Sequence, residues 1–81
     1  MLVELTEYLV KNVVNDSDSV SVKEFPSDNE NEIIIEVLVS SDDIGRVIGK
    51  AGKTANAIRT IVQASSYLQD NKRVKINIES F

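Results

Sequence analysis

The sequence predicts an α+β domain in which three helices pack on a mixed three-stranded sheet. Three observations predict it: apolar residues recur at helical spacing in two segments, three further segments have the composition of strands, and glycines interrupt the chain between two helices. The resulting element order is α-β-β-α-α-β. A chain of 81 residues has room for one domain, so we expect residues 1–81 to form a single folded unit.

The N-terminal half predicts a helix followed by a β-hairpin. Apolar residues in the segment 2–14 recur every three or four positions, and the polar stretch that begins at Asn15 ends the helix. Residues 19–25 alternate in polarity, and residues 32–39 form a strongly β-branched run. Because the turn-rich stretch 26–31 separates them, these two strands should pair antiparallel.

The middle of the chain predicts a short helix. Ser40 or Ser41 is suited to cap it, and Asp42 and Asp43 would lie in its first turn, where negative charge meets the positive end of the helix dipole. Gly49 should end this helix.

A longer helix and a last strand follow. The helix should span residues 53–68, with an inward stripe formed by Ala55, Ile58, Ile61, Val62, Ser65 and Leu68. Residues 73–79 alternate cleanly as a strand. Two helices connect this strand to the strand at 32–39, so the two should pair parallel.

Charge is distributed unevenly along the chain. Residues 1–43 contain 11 acidic and 2 basic residues, a net charge of −9, whereas residues 44–81 contain 2 acidic and 7 basic residues, a net charge of +5. No acidic residue lies between Asp43 and Asp70. A local positive field therefore persists in a chain whose overall charge is −4, and it would confine nucleic-acid contact to one face.

The segment 44–53, with the sequence IGRVIGKAGK, places two glycines three residues apart among basic residues. Gly49 and Gly52 allow positive φ and close approach of another chain, while Lys50 and Lys53 supply positive charge. The free amides at the start of the following helix point to the same place. This arrangement favours the backbone of a nucleic acid as ligand.

The composition excludes several other classes of site. The chain contains neither cysteine nor histidine, so disulfides, thiolate or imidazole catalysis and the usual zinc sites are absent. A nucleotide-binding enzyme is the rival class, but Val47 stands where the phosphate-binding loop of such enzymes requires a glycine. Asp16 and Asp18 lack the further ligands of a calcium loop. We therefore expect no enzymatic activity, no metal and no cofactor.

In this element order, the segment 44–53 resembles the K-homology (KH) RNA-binding domain in its bacterial type II arrangement. The resemblance covers nearly the whole chain, and the stretches 57–60 (AIRT) and 70–74 (DNKRV) are similar to those of the small bacterial single-KH proteins of the KhpA family. It implies a type II KH fold and a single-stranded RNA ligand, with about four nucleotides bound per domain.

The resemblance also implies roles for individual residues. The glycines let the RNA backbone approach, the lysines and Arg46 contact phosphates, Ala51 must stay small or polar, and apolar residues form a floor under the bases. The candidate RNA contacts are Gly49, Lys50, Ala51, Gly52, Lys53, Arg46, Ile44, Val47 and Ile48. For Val47 and Ile48, burial in the core is the alternative, and we expect it for at least one of them.

The same resemblance implies a homodimer, or a heterodimer with a larger KH-containing protein, and an RNA chaperone role linked to cell-shape and cell-wall control. The small expected core and the apolar Ile34 and Leu38, on the face opposite Ile33 and Ile35, independently favour self-association. No apolar run has membrane-spanning length, and the N-terminus lacks the basic start of a signal peptide, so we expect a cytoplasmic protein.

Two questions stay open in the sequence. A KH-like module that binds another polypeptide instead of RNA is the alternative function, with the acidic first half facing a basic partner. Arg59 is either a solvated or ion-paired helix residue or an RNA contact, and Tyr8 and Tyr67 either pack against neighbours or stack a base.

Overall fold

The computed structural model describes residues 2–81. The helices are α1 (Leu2–Lys11), α2 (Ile44–Ile48) and α3 (Lys53–Gln69), and the strands are β1 (Ser21–Pro26), β2 (Glu32–Val39) and β3 (Arg73–Ser80). Two single 3-10 turns, Ser17–Ser19 and Lys50–Gly52, lie in the connections. The predicted α+β class and the order α-β-β-α-α-β are confirmed.

The three strands form one sheet in the order β1-β2-β3. β1 pairs antiparallel with β2, with Val22 opposite Val37, and β2 pairs parallel with β3, with Ile35 opposite Ile76. Both predicted pairings are therefore correct. β2 is the central strand, and its burial alternates strictly because successive side chains point to opposite faces of the sheet.

The helices cover one face of this sheet and form the core with it. Val10 of α1, Val47 of α2 and Val62 of α3 are fully buried against Ile35 and Val37 of β2 and their neighbours. Each helix thus contributes at least one completely buried aliphatic side chain to a small core. Among residues 2–81, no helix has both the length and the apolarity to cross a membrane.

α1 is shorter than predicted because a side-chain hydrogen bond and a bond of 3-10 type replace the regular helical bonds at its C-terminal end. The side-chain amide of Asn12 donates to the Tyr8 carbonyl (2.7 Å), and the N–H of Val13 bonds to the carbonyl of Val10, three residues back (3.1 Å). These bonds satisfy the last turn, and the helix ends at Lys11 rather than at Val14.

α2 begins later than predicted, and the expected serine cap is wrong. The helix starts at Ile44 without a side-chain cap, and Ser40 Oγ instead accepts a bond from the N–H of Asp42 (3.3 Å) in the preceding turn. Asp43 lies just before the helix, and its carboxylate bonds to the chain that follows α1. Tertiary bonding therefore overrides the local helix-start signal.

The buried stripe of α3 is narrower than predicted. Ala55, Ile58 and Val62 are buried as expected, but Ile61 is 47% exposed and Leu68 is 89% exposed, so their assignment to the inward stripe is wrong. Ser65 is half-buried, and Ser66 takes the fully buried position because its hydroxyl donates to the Lys72 carbonyl (2.7 Å). The other element boundaries lie within two residues of the predicted ones.

Candidate nucleic-acid interface

The loop between α2 and α3 is built on two glycines with positive φ. Gly49 ends α2 with φ 76°, and its N–H bonds to the Gly45 carbonyl (2.9 Å). The N–H of Gly52, with φ 75°, bonds back to the Gly49 carbonyl (3.1 Å) and closes a tight turn. Gly49 thus ends α2 as predicted, and the 3-10 turn Lys50–Gly52 leads directly into α3.

Gly49 is required for two physical reasons. Its φ lies in the left-handed region that L-residues disfavour. A Cβ at this position would also collide with the side chain of Thr54 and lie only 2.9 Å from the Thr54 backbone nitrogen. Gly52 is different, since a Cβ there would meet nothing nearer than the Asn56 side chain at 3.8 Å. At Gly52 the conformation alone favours glycine.

The tip of the loop combines left- and right-handed backbone conformations. Ala51 has φ 55° and ψ 27°, Gly52 has φ 75° and ψ 12°, and Lys53 returns to right-handed helical values. The change of hand therefore falls between Gly52 and Lys53, where α3 begins. The start of α3 follows directly, and the N–H of its first residue, Lys53, bonds to the Lys50 carbonyl. The positive end of the α3 dipole therefore lies at this turn.

Three exposed cations surround this backbone site. Lys50 and Lys53 are exposed, and within residues 2–81 neither is in an ion pair. Arg46 is also exposed, but its Nε lies 3.8 Å from Oδ1 of Asp43. The two lysines therefore carry the unneutralised charge of the loop, and Arg46 contributes less to it.

The apolar residues that were predicted to contact the bases differ in their burial. Val47 is fully buried in the core, which corrects its place among the residues that could contact a base. Ile48, the last residue of α2, is 41% exposed beside the glycine loop. Ile44 is half-buried and packs against the core. Ile48 and the exposed part of Ile44 are thus the apolar surface that α2 offers next to the loop.

Asp43 anchors this region in a way that the sequence did not indicate. Its side chain is almost completely buried, and its two oxygens accept bonds from the N–H groups of Asn15 (3.1 Å) and Asp16 (3.0 Å). The bond from Asp16, the bond from Asn15 and the charge of Arg46 lower the pKa of the Asp43 carboxyl, although burial opposes the shift. The carboxylate fixes the start of α2 to the chain after α1.

No local signal could have identified that role. The hydrogen-bond partners of Asp43 lie 27 and 28 residues earlier in the chain, and an aspartate before a helix is more simply explained as a cap. Among the described residues, no three acidic side chains lie close enough together to hold a metal ion.

The sequence matches the profile of the KhpA/KhpB KH domain over residues 3–78. The chain belongs to the KhpA/KhpB KH-domain family. It is 43% identical over 75 residues to the RNA-binding protein KhpA of Clostridium perfringens, covering 93% of this chain and 96% of that protein. The KhpA of Chlamydia trachomatis is 41% identical over 75 residues, covering 93% and 92% of the two chains. The KhpA/KhpB family is not a family of enzymes.

Solved structures show the same fold at low sequence identity. Era in complex with MgGDPNP and nucleotides 1506–1542 of 16S ribosomal RNA superposes with a TM-score of 0.69 and 20% identity. The match covers 98% of this chain but 29% of that Era chain, and Aquifex aeolicus Era bound to GDP.AlF4- gives a TM-score of 0.71. Nearly the whole of this KhpA/KhpB family member therefore has the fold of one part of the larger Era chain.

Proposed function

We propose that this chain is a single KH domain that binds single-stranded RNA in the cytoplasm. The observation that carries the proposal is the 49–52 turn, in which the left-handed Ala51 and Gly52 lead directly into the start of α3 between two exposed lysines. Relatives that are 41–43% identical over nearly their whole length have the name RNA-binding protein KhpA, which supports RNA as the ligand.

In this proposal the RNA backbone lies against the turn. Gly49 and Gly52 let a phosphate approach the main chain at the positive end of the α3 dipole, which stabilises the negative charge. Lys50 and Lys53 add charge-assisted contacts to the same or the next phosphate. The bases then face the exposed surface of Ile48, and about four nucleotides occupy the site, as in other KH domains.

Such a site would bind RNA weakly and with little sequence preference, as suits an RNA chaperone or a post-transcriptional regulator. Phosphate contacts position a nucleic acid without reading its sequence. The domain supplies only a few of them, through Lys50, Lys53 and the partly neutralised Arg46. A link to cell-shape and cell-wall control is part of the proposal and rests on resemblance to the family.

The test is fluorescence anisotropy with a labelled four-nucleotide single-stranded RNA at several salt concentrations. Three phosphate contacts on a single strand predict that log K falls with log salt with a slope of about −2. Measurable binding with this slope supports the proposal. Binding without salt dependence, or no binding at millimolar protein, contradicts it and leaves a KH-shaped module for protein interaction.

We also propose that the domain pairs with a second copy or with a larger KH-containing protein. Two surfaces carry exposed apolar side chains, one on α3 with Ile61 and Leu68, and one on the outer sheet face, where Phe25 is exposed beside the half-buried Ile34 and Leu38. Leu68 is 89% exposed, and a large aliphatic side chain so placed loses apolar burial unless a partner covers it. Pairing would also raise the affinity for longer RNA through effective concentration.

Light scattering at high micromolar concentration measures this association directly. The expected mass is twice 9.0 kDa, and Leu68→Lys or Ile34→Lys should return it to the monomer, depending on which surface is used. A monomeric wild-type protein would contradict homodimer formation.

A further inference from the structure

β3 lies at the edge of the sheet and points half of its main-chain groups away from β2. The N–H of Arg73 bonds to the Asn31 carbonyl (2.8 Å), so the odd-numbered residues of β3 face β2 in the parallel ladder. The residues between them point their N–H and C=O groups to the other side. Even-numbered residues from Val74 onward, together with the carbonyl of Lys72, therefore lie along the open edge.

An edge of this kind can accept a strand from another molecule. Unpaired N–H and C=O groups form a template for strand addition, and the segment 74–78 contains three β-branched residues that favour it. The opposite edge strand, β1, ends at Pro26, which has no N–H to donate. β3 contains no proline, so its edge needs protection from another element.

The side-chain amide of Gln63, on α3, bonds to this edge as a strand would. Its Oε1 accepts from the N–H of Val74 (2.9 Å), and its Nε2 donates to the carbonyl of Lys72 (3.0 Å). One residue of a neighbouring parallel strand would make the same two bonds, on either side of Arg73. The amide of Gln63 therefore takes the place of a peptide group from a fourth strand.

α3 stays in step with the edge because its rise matches that of the strand. Arg59 lies four residues before Gln63, about 6.0 Å along the helix, and its Nη2 reaches the Ile76 carbonyl at 3.4 Å. Two residues of a strand, the step between edge-facing residues, cover about 6.6 Å. Ser66 donates to the same carbonyl as Gln63 (2.7 Å). Side chains of α3 thus cover the edge from residue 72 to residue 76.

The rest of the edge is short. Within the described part of the chain, no side chain or turn bonds to the N–H groups of Ile78 and Ser80. Strands usually have about 3–10 residues, so the three residues 78–80 offer little length for pairing. Without Gln63 the open edge would extend over most of β3.

We propose that Gln63 blocks the β3 edge and prevents the addition of a strand from a second molecule. The strand that it excludes is β3 of another copy of this chain, because two such edges present the same open groups to each other. This role goes beyond RNA binding and does not depend on it. It also differs from pairing through α3 or the outer sheet face, since both of those surfaces leave the β3 edge unpaired.

Amide hydrogen exchange of the wild-type protein, measured by NMR, is the first test. The N–H groups of Val74 and Ile78 face the same open edge, but of the two only Val74 bonds to a described residue. The protection factor of Val74 should exceed that of Ile78 by about tenfold, which corresponds to the net free energy of one hydrogen bond. Equal protection of the two amides would overturn the proposal.

Substitution of Gln63 is the second test. Gln63→Met keeps a good helix former but removes both bonds, so Val74 should lose its protection. The mass in light scattering should rise above that of wild type as the protein concentration increases. Gln63→Glu keeps an acceptor for the Val74 N–H and should leave that amide protected.

Gln69→Met is the matched control for the added apolar side chain. Gln69 is exposed on the same helix, and its amide bonds to Ser65 rather than to β3. This variant should have the mass of wild type at every concentration. Gln63→Ala, with the best helix former at this position, is a second variant without the two bonds and should behave like Gln63→Met.

The remaining outcomes are decisive in the other direction. If Gln63→Met or Gln63→Ala keeps the circular dichroism and the mass of wild type, Gln63 does not block the edge. If Gln69→Met gains mass equally, added apolar surface rather than the open edge drives association. If both Gln63 variants unfold, Gln63 is required for folding itself, and its role as an edge block is overturned.

Discussion

Replacement of Lys50 and Ala51 by aspartate tests the glycine loop as a phosphate clamp. The double variant changes the charge of the loop by −3 and that of the chain from −4 to −7. Both side chains are exposed, and Ala51 has a left-handed backbone that aspartate adopts more readily than most residues. The new carboxylates also lie near the positive end of α3, so we expect the fold to be kept.

The expected loss of affinity follows from the charges at the loop. One unit charge about 4 Å from a phosphate contributes about 1 kcal/mol in water, and salt weakens the more distant contributions. A change of three units should therefore cost about 2–3 kcal/mol, or about 30- to 150-fold in the dissociation constant. The salt slope should also become shallower than the wild-type value of about −2, because Lys50 no longer contacts phosphate.

The assay is anisotropy with the four-nucleotide RNA, next to thermal melting in the same buffer. Asn71→Asp with Lys72→Asp is the matched control, since it makes the same charge change at the other end of α3 and also places aspartate on a left-handed residue (φ 53°). A helix of 17 residues separates the two sites by about 25 Å, beyond the screening length of about 8 Å.

The control should bind nearly like wild type, while the loop variant should not. If the loop variant melts like wild type and binds the four-nucleotide RNA just as tightly, the loop is not the phosphate clamp. If both variants lose affinity equally, net charge rather than the loop governs binding, and the assignment of the phosphate contact to the loop is wrong.

Three further predictions concern stability. Gly49→Ala should lower the free energy of unfolding by at least 1–2 kcal/mol in urea denaturation, because φ is positive there and the new Cβ would collide with Thr54; an unchanged midpoint would contradict the loop geometry. Ala51→Gly should raise stability by up to about 1 kcal/mol, since glycine relieves the left-handed strain but loses more entropy on folding, and a large loss would refute this. The folded pKa of Asp43 is lowered, so its carboxylate stabilises the fold fully above the unfolded pKa of about 3.9, and that stabilisation is lost as the pH falls through the folded pKa; Asp43→Asn should lower the melting temperature at pH 7, and the gap should narrow at acid pH.

Patterns among neighbouring residues were sufficient to predict most of the fold and the position of the glycine loop. The alternation in β2, the helical spacing in α3 and the two glycines at 49 and 52 each act through neighbouring residues, and the structure keeps all of them. The loop residues could be named because positive φ and exposed lysines are local properties. The parallel pairing of β2 with β3 followed from the crossover through α2 and α3.

The errors lie where a residue's role depends on a distant neighbour. Asp43 looked like a helix-start residue and instead bonds Asn15 and Asp16, while Val47, a possible base contact, is buried in the core. Leu68 fits an inward stripe by spacing alone, yet nothing within residues 2–81 covers it. The spacing of apolar residues along one helix does not show how wide a face of that helix the neighbouring elements will cover.

The sequence by itself determined the element order, the central strand and the position of the glycine loop between its two lysines, because these depend on backbone conformation and on side chains close in the chain. Only the tertiary structure decided which apolar residues are core and which are surface, where Asp43 finds its partners, and that Gln63 bonds to the edge of β3. Those properties depend on contacts between segments that meet only after the helices pack on the sheet. The spacing of residues within one segment does not predict such contacts.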